Sequence, residues 1–394
     1  VKRMNKMIAK AKKETRGFLT DEHVMFRDSV RKFIEKEIEP NYEQWEKDRI
    51  IPRELWTKLG EQGFLCPSID EKYGGMGVDF IFDVIISEEF ARVGAGLSGI
   101  GLHSNVVTPY ITSFGTEEQK QKYLPKFASG EWISAIAMTE PGAGSDLQKI
   151  ETTAIKDGSD YIVNGQKTFI TNGILSDVVI VACKTDPKAV PAHNGVSLLI
   201  IERGMEGFTR GRKLDKVGMH SQDTAELIFE NVRVPAENLL GEEGKGFLYL
   251  MQKLQQERLL TAVGAIIAAT DMLELTLQYV KEREAFGRPI GKFQNTQFTL
   301  AEIATQVKIG QTFVDDLIIK HMEGQNIVTE VSMAKWWITD MARRISADCM
   351  QLHGGYGYME EYKIARRYRD IAVTPIFAGS NEIMKVIIAK NLGL

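Results

Sequence analysis

The spacing of apolar residues changes character twice along the chain. Up to about residue 130, apolar positions recur at the three- and four-residue intervals of amphipathic helices. The first such run contains Phe26, Val30, Phe33 and Ile34. Thr20 can cap this helix, and Pro40 is expected to end it because proline lacks an N–H. A further helix is expected to begin at Pro52.

From residue 132 to about residue 240, the apolar runs become short and β-rich, and turn sequences such as Asn172-Gly173 separate many of them. The expected strands are 132–138, 161–163, 167–171, 177–183, 196–201, 226–229 and 232–234. No helical pattern alternates with these strands, which excludes a dinucleotide-binding βαβ fold. The pattern predicts an antiparallel β-barrel or sandwich.

Long helical patterns return after residue 246. Three long runs, 247–281, 293–323 and 328–352, are followed by a shorter one after Ser380. Long helices with short links form antiparallel bundles. The chain is therefore predicted to have an α+β fold with three domains. These are an N-terminal all-α domain (1–131), a middle antiparallel β-barrel domain (132–244) and a C-terminal four-helix bundle (245–394).

The composition is that of a globular protein, with 43% hydrophobic and 26% charged residues among 394. A net charge of -4 gives no bulk attraction to nucleic acid, and no apolar run reaches the ~18 residues of a membrane-spanning helix. Three distant cysteines argue against disulfides and favour a reducing compartment. The first 13 residues are basic, and a solvated arm is preferred over the remnant of a transit peptide.

Two candidate sites follow predicted strands. Residues 139–146 read Thr-Glu-Pro-Gly-Ala-Gly-Ser-Asp, in which small side chains let backbone N–H groups approach a flat or anionic ligand. Residues 169–173 read Phe-Ile-Thr-Asn-Gly, where an aromatic ring beside a hydroxyl could stack on a ring system and donate one hydrogen bond to it. Taken alone, the first segment is better interpreted as a plain surface turn, and the second as a hairpin with a core aromatic residue.

Two more candidates lie at helix ends. Arg283, in Arg-Glu-Ala-Phe-Gly-Arg, either complements the helix dipole or grips a phosphate. Residues 351–357 read Gln-Leu-His-Gly-Gly-Tyr-Gly, and three glycines exceed what a helix cap needs, so close approach of the backbone to a ligand is plausible. His353 has no second histidine at ligand spacing, which argues against a zinc site.

Together with the α–β–α order, these four segments resemble the acyl-CoA dehydrogenase family from about residue 18 to residue 392. The closest likeness is to its long-chain members, through Gln-Glu-Arg-Leu at 256–259 and Gly-Ser-Asn-Glu-Ile-Met-Lys at 379–385. The resemblance implies FAD as cofactor, an acyl-CoA substrate, electron-transfer flavoprotein as electron acceptor and a homotetramer built as a dimer of dimers.

The resemblance also assigns roles to individual residues. The implied cofactor-binding residues are Ile136, Met138, Thr139, Gly144, Ser145, Phe169, Thr171, Arg283, Phe286, Gln294, Gln351, Gly354, Gly355, Ser380 and Glu382. The implied substrate-binding residues are Ser145, Leu248, Gln255, Arg258, Ala378 and Gly379. In the family, Arg283 and the 351–355 loop contact an FAD that is bound mainly by a neighbouring subunit.

The chain departs from the family at the catalytic base. Many members place a glutamate in Tyr-Glu-Gly-Thr, but the matching residues here are Phe377-Ala378-Gly379-Ser380, and alanine cannot take a proton. Glu257 is the candidate, because long-chain and isovaleryl-type members carry their base at this helix position. It shares a helical stripe with Leu250, Leu254, Thr261, Gly264 and Ala268. The alternative for Glu257 is a solvated glutamate beside Arg258.

The expected reaction is α,β-dehydrogenation of a long or branched acyl-CoA to the trans-2-enoyl-CoA. One alternative is an acyl-CoA oxidase-type flavoenzyme that uses oxygen, and another is a catalytically silent, FAD-bound scaffold. The bacterial cytoplasm is the preferred location, and the mitochondrial matrix is the alternative.

Overall fold

The computed structural model describes residues 16–394, so the predicted basic arm lies outside the described residues. The N-terminal helices are α1 Asp21–Phe33, α2 Glu39–Asp48, α3 Arg53–Glu61, α4 Phe80–Val93, α5 Ser98–Gly101, α6 Thr108–Phe114 and α7 Glu117–Ala128. Thr20 caps α1 as predicted, since its hydroxyl accepts a hydrogen bond from the His23 N–H. Pro52 stands immediately before α3.

Pro40 does not end the first helical run, so that prediction was wrong. The run passes through a π-helical segment, Ile34–Ile38, and continues as α2 with Pro40 in its first turn. The first N–H groups of a helical segment have no acceptor within that segment, and proline is therefore tolerated there. A second π-helical segment, Leu102–Val107, joins α5 to α6.

The middle of the chain forms one seven-stranded sheet. Its strands are β1 Ser134–Ala137, β2 Thr153–Asp157, β3 Asp160–Thr171, β4 Val178–Lys184, β5 Val196–Glu202, β6 Phe208–Lys213 and β7 Thr224–Pro235. They pair in the order β1-β4-β2-β3-β7-β6, with β5 also paired to β4. The β domain is confirmed, but the sequence pattern did not find β2 or β6, and it divided β3 and β7 in two.

The sheet is not wholly antiparallel, which corrects the prediction. β1 runs parallel to β4, and β2 makes one parallel pairing with β4 at Lys184. Parallel neighbours need a long connection, and two other strands lie between β1 and β4 in the chain. β4 and β5 are buried on both faces, between the N-terminal helices and the interior of the β domain. Their continuous apolar sequences follow from this double burial.

The C-terminal helices are α8 Gly246–Glu282, α9 Gln294–Met322, α10 Val328–His353, α11 Lys363–Ile371 and α12 Asn381–Asn391. A two-residue hairpin, β8 Glu284–Ala285 with β9 Arg288–Pro289, links α8 to α9. The predicted bundle is confirmed, and α11 is an addition to it. By length and composition α8 could cross a membrane, but 56% of its most apolar window is buried inside the protein, as in a core helix.

The domain limits 131/132 and 244/245 stay predictions. They fall between elements, because α7 ends at Ala128, β1 begins at Ser134, β7 ends at Pro235 and α8 begins at Gly246.

Candidate active site

Glu257 lies in the N-terminal half of α8 with its side chain half-buried. Its Oε2 atom is shielded from solvent and accepts no hydrogen bond from any residue in 16–394. Burial raises the pKa of this carboxyl to about 7, although the positive charges of Arg258 and Lys335 oppose the increase. A solvated surface glutamate would not show this shift, so the structure argues against that alternative.

Two more buried polar groups near Glu257 lack a partner among the described residues. These are Nε of Arg258 and the hydroxyl of Tyr110, a residue of α6. Burial raises the pKa of the Tyr110 hydroxyl, and the charge of Glu257 adds to that effect. Buried polar atoms are nearly always hydrogen-bonded in proteins. Three unpaired groups in one region therefore indicate a place where a ligand supplies the partners.

The predicted helical stripe leaves room beside Glu257. A Cβ atom added to Gly264 would meet no other atom within 4 Å. The Thr261 hydroxyl donates a hydrogen bond to the Glu257 carbonyl oxygen, so its polar group is used within the helix. Leu250 is buried in the core, whereas Leu248, a predicted substrate contact, is half-exposed.

The turn before α12 reaches the same region. Ala378 and Gly379 adopt left-handed backbone angles, with φ of 53° and 82°. A Cβ atom on Gly379 would lie 3.6 Å from Nη2 of Arg258. The fold therefore brings together Glu257, Arg258 and the turn of Ala378 and Gly379, as the sequence analysis expected.

Gln255 has a different environment from the one expected for a substrate contact. Its Nε2 atom donates to Nδ1 of His321 and to the Gln325 carbonyl, while its Oε1 atom accepts from the Ile327 N–H. Both ends of the amide are therefore committed to the link between α9 and α10.

A bulge near the end of β3 exposes an aromatic ring. The register against β7 shifts between Lys167 and Ile170, and Phe169 adopts a φ of 60°. Its side chain is 68% exposed. The nearby Thr171 hydroxyl oxygen accepts a hydrogen bond from Nε2 of Gln222 at 3.0 Å, which leaves its own hydrogen free to donate.

The 136–145 segment runs beside this strand end. The Thr168 N–H donates to the Thr139 carbonyl oxygen at 2.9 Å, which fixes the two segments together. Ile136 is buried and Met138 is half-buried, whereas Gly144 and Ser145 are exposed. No atom lies within 4 Å of a Cβ added at Gly144, so the loop offers an open backbone surface.

A cleft of about 520 Å³ lies at the other end of α8. It is lined by Tyr279, Arg283, Ile290, Gln351, Leu352, His353, Gly354, Gly355, Tyr356 and Met359. The Arg283 guanidinium lies 5.4 Å from the centre of the Tyr356 ring. Phe286 nearby is 95% exposed with a φ of 52°, and Gln294 is exposed at the start of α9.

The two regions are far apart within one chain. Arg283 follows Glu257 by 26 residues, and at 1.5 Å per residue the helix separates them by about 39 Å. The predicted residues therefore form two groups, one around Glu257 and one around the Arg283 cleft.

The last two predicted cofactor contacts lie at the start of α12. The Ser380 hydroxyl caps this helix by accepting a hydrogen bond from the Ile383 N–H. Glu382 is exposed in the first turn, where hydrogen bonds from its own backbone N–H and the Ser380 side chain lower the pKa of its carboxyl. A carboxylate with a lowered pKa is a weaker base than Glu257.

Comparison with known proteins covers nearly the whole chain. Three family models match: "Acyl-CoA dehydrogenase, N-terminal domain" at residues 20–131, the corresponding middle domain at 135–232 and the C-terminal domain at 244–393. The chain belongs to the acyl-CoA dehydrogenase family. It is similar to the long-chain specific acyl-CoA dehydrogenase of Sus scrofa, with 50% identity over 96% of this chain and 88% of the relative.

Two bacterial members of the acyl-CoA dehydrogenase family are also similar. An acyl-CoA dehydrogenase of Bacillus subtilis is 41% identical over 95% of this chain and 98% of the relative. The crystal structure of acyl-CoA dehydrogenase from Geobacillus kaustophilus superposes with a TM-score of 0.96. It is 65% identical over 96% of this chain and 100% of that one.

Acyl-CoA dehydrogenases are FAD-dependent enzymes, and the residues present fit this cofactor. The exposed Phe169 ring and the free hydrogen of Thr171 suit a flat, hydrogen-bonding ring system. Gly354 and Gly355 meet no atom within 4 Å where a Cβ would stand, so their backbone is open to a ligand. Beside them, Arg283 provides a guanidinium for a phosphate.

Three residues that lie beside the predicted site residues were not predicted from the sequence. Tyr110 follows a π-helical segment that no apolar spacing predicts, and Gln222 is placed by the loop before β7. Lys335 occupies an interior position of α10, and its fully buried side chain donates to the Gly379 carbonyl oxygen. Lys335 stands among residues of α10 whose helical spacing predicts burial in the core. A lysine at such a position is the one sequence signal that could have indicated its role.

Proposed function

We propose that the protein catalyses the FAD-dependent α,β-dehydrogenation of a long or branched acyl-CoA to the trans-2-enoyl-CoA, with Glu257 as the base. The observation that carries this proposal is the shielded, unpaired Oε2 atom of the half-buried Glu257, beside a turn whose usual glutamate is replaced by Ala378. The roughly 50% identity to a long-chain specific relative supports the substrate class.

The reaction needs a base of raised basicity because the α-proton of a thioester is weakly acidic. A carboxyl with a pKa of about 7 is ionised above neutral pH yet accepts a proton more readily than an exposed one. Glu257 takes the α-proton, and the electron pair of the C–H bond moves towards the thioester oxygen. When bound, FAD supplies the acceptor for the β-hydride.

Developing charge on the thioester oxygen needs a hydrogen-bond donor. The N–H of Ala378 donates to no atom of the described chain and stands in the turn beside Arg258. One donor of this kind contributes about 3 kcal/mol to transition-state stabilisation in other enzymes. We assign this role to the Ala378 N–H, which needs no side chain to act.

The remaining predicted residues are proposed to hold the ligands. Ile136, Met138, Thr139, Phe169 and Thr171 would bind the flavin ring, and Ser145 would contact the CoA portion of the substrate. Ser380 and Glu382 would approach the same FAD from the start of α12.

The Arg283 cleft is proposed to bind the FAD of a neighbouring subunit, together with Phe286, Gln294 and the 351–355 loop. Its separation of about 39 Å from Glu257 along α8 supports sites shared between subunits. The highly exposed Phe286 also favours cover by another chain. A homotetramer is the proposed assembly, which sedimentation of the FAD-loaded protein tests.

Electron-transfer flavoprotein is the proposed electron acceptor, and the bacterial cytoplasm is the proposed location. The two similar bacterial acyl-CoA dehydrogenases favour this location over the mitochondrial matrix.

The test replaces Glu257 by Gln in the FAD-loaded enzyme, with Glu274→Gln as the matched control. Glu274 is an exposed glutamate on the same helix, so its replacement is expected to change kcat less than twofold. Loss of the base is expected to lower kcat about 10⁴-fold while FAD remains bound. Near-normal anaerobic flavin bleaching by dodecanoyl-CoA in Glu257→Gln would disprove the assignment.

Two further measurements separate the alternatives. In the double variant Glu257→Gly, Ala378→Glu, partial recovery of activity is expected, because both positions face one region. Peroxide formation that outpaces reduction of electron-transfer flavoprotein would instead indicate an oxidase. If no acyl-CoA of a chain-length and branching panel bleaches the flavin anaerobically, the protein is a silent scaffold.

A further inference from the structure

Lys335 is a fully buried lysine in the middle of α10, close to the proposed active site. Its Nζ atom donates hydrogen bonds to the Gly379 carbonyl oxygen at 2.7 Å and to Oδ1 of Asn381 at 3.1 Å. Burial, assisted by the charge of Arg258, lowers the pKa of the ammonium group to about 8. A lysine is rarely buried unless its ammonium group is bound by specific partners.

The turn that Lys335 binds has a strained backbone. Ala378 and Gly379 are consecutive left-handed residues, a conformation that is strained for a non-glycine residue such as Ala378. Surrounding contacts must therefore hold the turn in place. The bond from Lys335 to the Gly379 carbonyl fixes the orientation of the peptide that follows Ala378 and Gly379.

Asn381 connects this lysine to the rest of α10. Its Nδ2 atom donates to the Thr339 hydroxyl at 3.0 Å and to Oδ1 of Asp340 at 3.1 Å. Its backbone N–H donates to the Pro375 carbonyl oxygen, which closes the loop that contains the turn. The turn is thus attached to a core helix by a buried polar network.

We propose that Lys335 is a positioning residue for the reaction, which holds the Ala378–Gly379 turn so that the Ala378 N–H can donate to the thioester oxygen. This inference rests on the proposed function, because it requires Glu257 and the Ala378 N–H to act on the same thioester. The proposed role of Lys335 acts through the turn, by its hydrogen bonds to Gly379 and Asn381, and not through contact with the reacting atoms.

A purely electrostatic role for Lys335 predicts a different result. The charged groups around its ammonium are Arg258 on α8, Asp340 on α10, Glu382 on α12 and Glu257 itself. If the lysine acted through its charge alone, its removal would raise the pKa of Glu257 and shift the acid limb of the rate profile upward. The rate at high pH would then stay unchanged.

The experiment measures exchange of the substrate α-proton in FAD-loaded enzyme. The probe is 3-thiadodecanoyl-CoA in D₂O, whose sulfur replaces the β-methylene, so hydride transfer cannot occur. The α-C–H bond breaks, the proton passes to Glu257, and a deuteron from exchanged carboxyl returns to the carbon. Mass spectrometry follows the incorporated deuterium across pH.

Lys335→Met is expected to lower the high-pH plateau of exchange about 100-fold, in line with loss of one oriented donor. The KM for dodecanoyl-CoA is expected to stay within threefold while kcat falls, which simple loss of structure would not produce. Ser332→Ala is the matched control, since it removes a buried hydroxyl of the same helix that donates to the Val328 carbonyl oxygen and lies outside the network that holds the turn. Its plateau is expected within threefold of the unchanged enzyme.

The proposal is overturned if the high-pH exchange rate of Lys335→Met lies within threefold of that of the unchanged enzyme, whether or not the acid side of the profile shifts. If Lys335→Met does not retain FAD, Lys335→Gln takes its place, because its neutral side chain is polar but one atom too short to keep the bond to the Gly379 carbonyl. A tenfold lower plateau supports the proposal, and an unchanged one overturns it. Glu257→Gln distinguishes the two hypotheses: if it exchanges normally, the proposed function fails irrespective of Lys335.

Discussion

Two buried glutamates in this protein differ in their partners. Glu140, in the loop after β1, accepts hydrogen bonds from Nζ of Lys167 and from the backbone N–H groups of Glu151 and Thr152. Burial alone would raise the pKa of Glu140, but Lys167 and these hydrogen bonds hold it below its ordinary value. Glu257 has no partner for Oε2, and burial raises its pKa to about 7.

The difference separates a carboxylate that is stabilised as an anion from one that is not. Glu140 accepts a proton poorly and holds its loop beside the end of β3. The charge of Glu257 is poorly stabilised, so this carboxylate accepts a proton more readily, as the proposed role of a base requires. Both carboxylates have cations nearby, since Arg258 and Lys335 lie near Glu257. Glu140 differs because it is in direct contact with its cation, Lys167 Nζ at 2.7 Å, and also accepts hydrogen bonds from two backbone N–H groups.

The largest effect on stability is expected at Lys167. Lys167→Met leaves Glu140 charged and buried without its counter-ion, which is expected to lower the free energy of unfolding by about 3–5 kcal/mol. Guanidinium denaturation followed by circular dichroism measures the change. The double variant Lys167→Met, Glu140→Gln removes both charges and is expected to recover part of the loss.

Glu257→Gln tests the other glutamate of the comparison by removing its charge. The pKa of Glu257 is raised in the folded protein, so the stability associated with its neutral form is lost as pH rises through about 7. The glutamine variant is therefore expected to gain stability relative to the unchanged protein as pH rises from 5 to 7, and to keep a constant advantage above that range. If Lys167→Met and Glu257→Gln have the same free energy of unfolding, the two glutamates do not differ in how well their charges are stabilised.

The next largest effect is expected in the pH dependence of the rate, on the acid side of the profile. Because Glu257 must be ionised to accept a proton, kcat/KM is expected to fall tenfold per pH unit below about 7 and to be constant above it. Arg258→Met removes a positive charge that lowers the pKa of Glu257, so it is expected to move this fall upward by about one unit. Initial rates with dodecanoyl-CoA between pH 5 and 9 test both statements. If kcat/KM of Arg258→Met falls over the same pH range as in the unchanged enzyme, the charge of Arg258 is screened from Glu257.

Much of the fold could be predicted from periodicity. The three long C-terminal helices differ from their predicted limits by at most one residue at either end, because long amphipathic runs leave little ambiguity. The strand β2, Thr153–Asp157, and the strand β6, Phe208–Lys213, were missed because half or more of their residues are polar or exposed. Pro40 was misjudged because a π-helical segment before it is a tertiary feature without a sequence signal.

The candidate site could be predicted only as far as residue types and family position allow. Glu257, Ala378 and Gly379 were expected to act together, and the fold places Gly379 against Arg258. Their partners Tyr110 and Lys335 come from other helices, and no local pattern links residues so distant in the chain. The hydrogen bonds of the Gln255 amide could not be predicted either, because they depend on the path that the chain takes between α9 and α10.

Asp83 provides the smallest and sharpest test, because it is a buried carboxyl outside the proposed site. It lies on α4, its Oδ1 atom has no partner among residues 16–394, and burial raises its pKa to about 7. A raised pKa means that the stability of the neutral form is lost as pH rises through about 7. Asp83→Asn is expected to avoid this loss, so it gains about 1.4 kcal/mol over the unchanged protein between pH 5 and pH 6, where the Asp83 carboxyl is ionised in the unfolded chain but still protonated in the folded one. Urea unfolding at both pH values measures the difference, and kcat is expected to stay unchanged. An equal pH dependence in both proteins would show that Asp83 is ionised in the folded state, and that burial without a partner does not by itself raise the pKa of a carboxyl here.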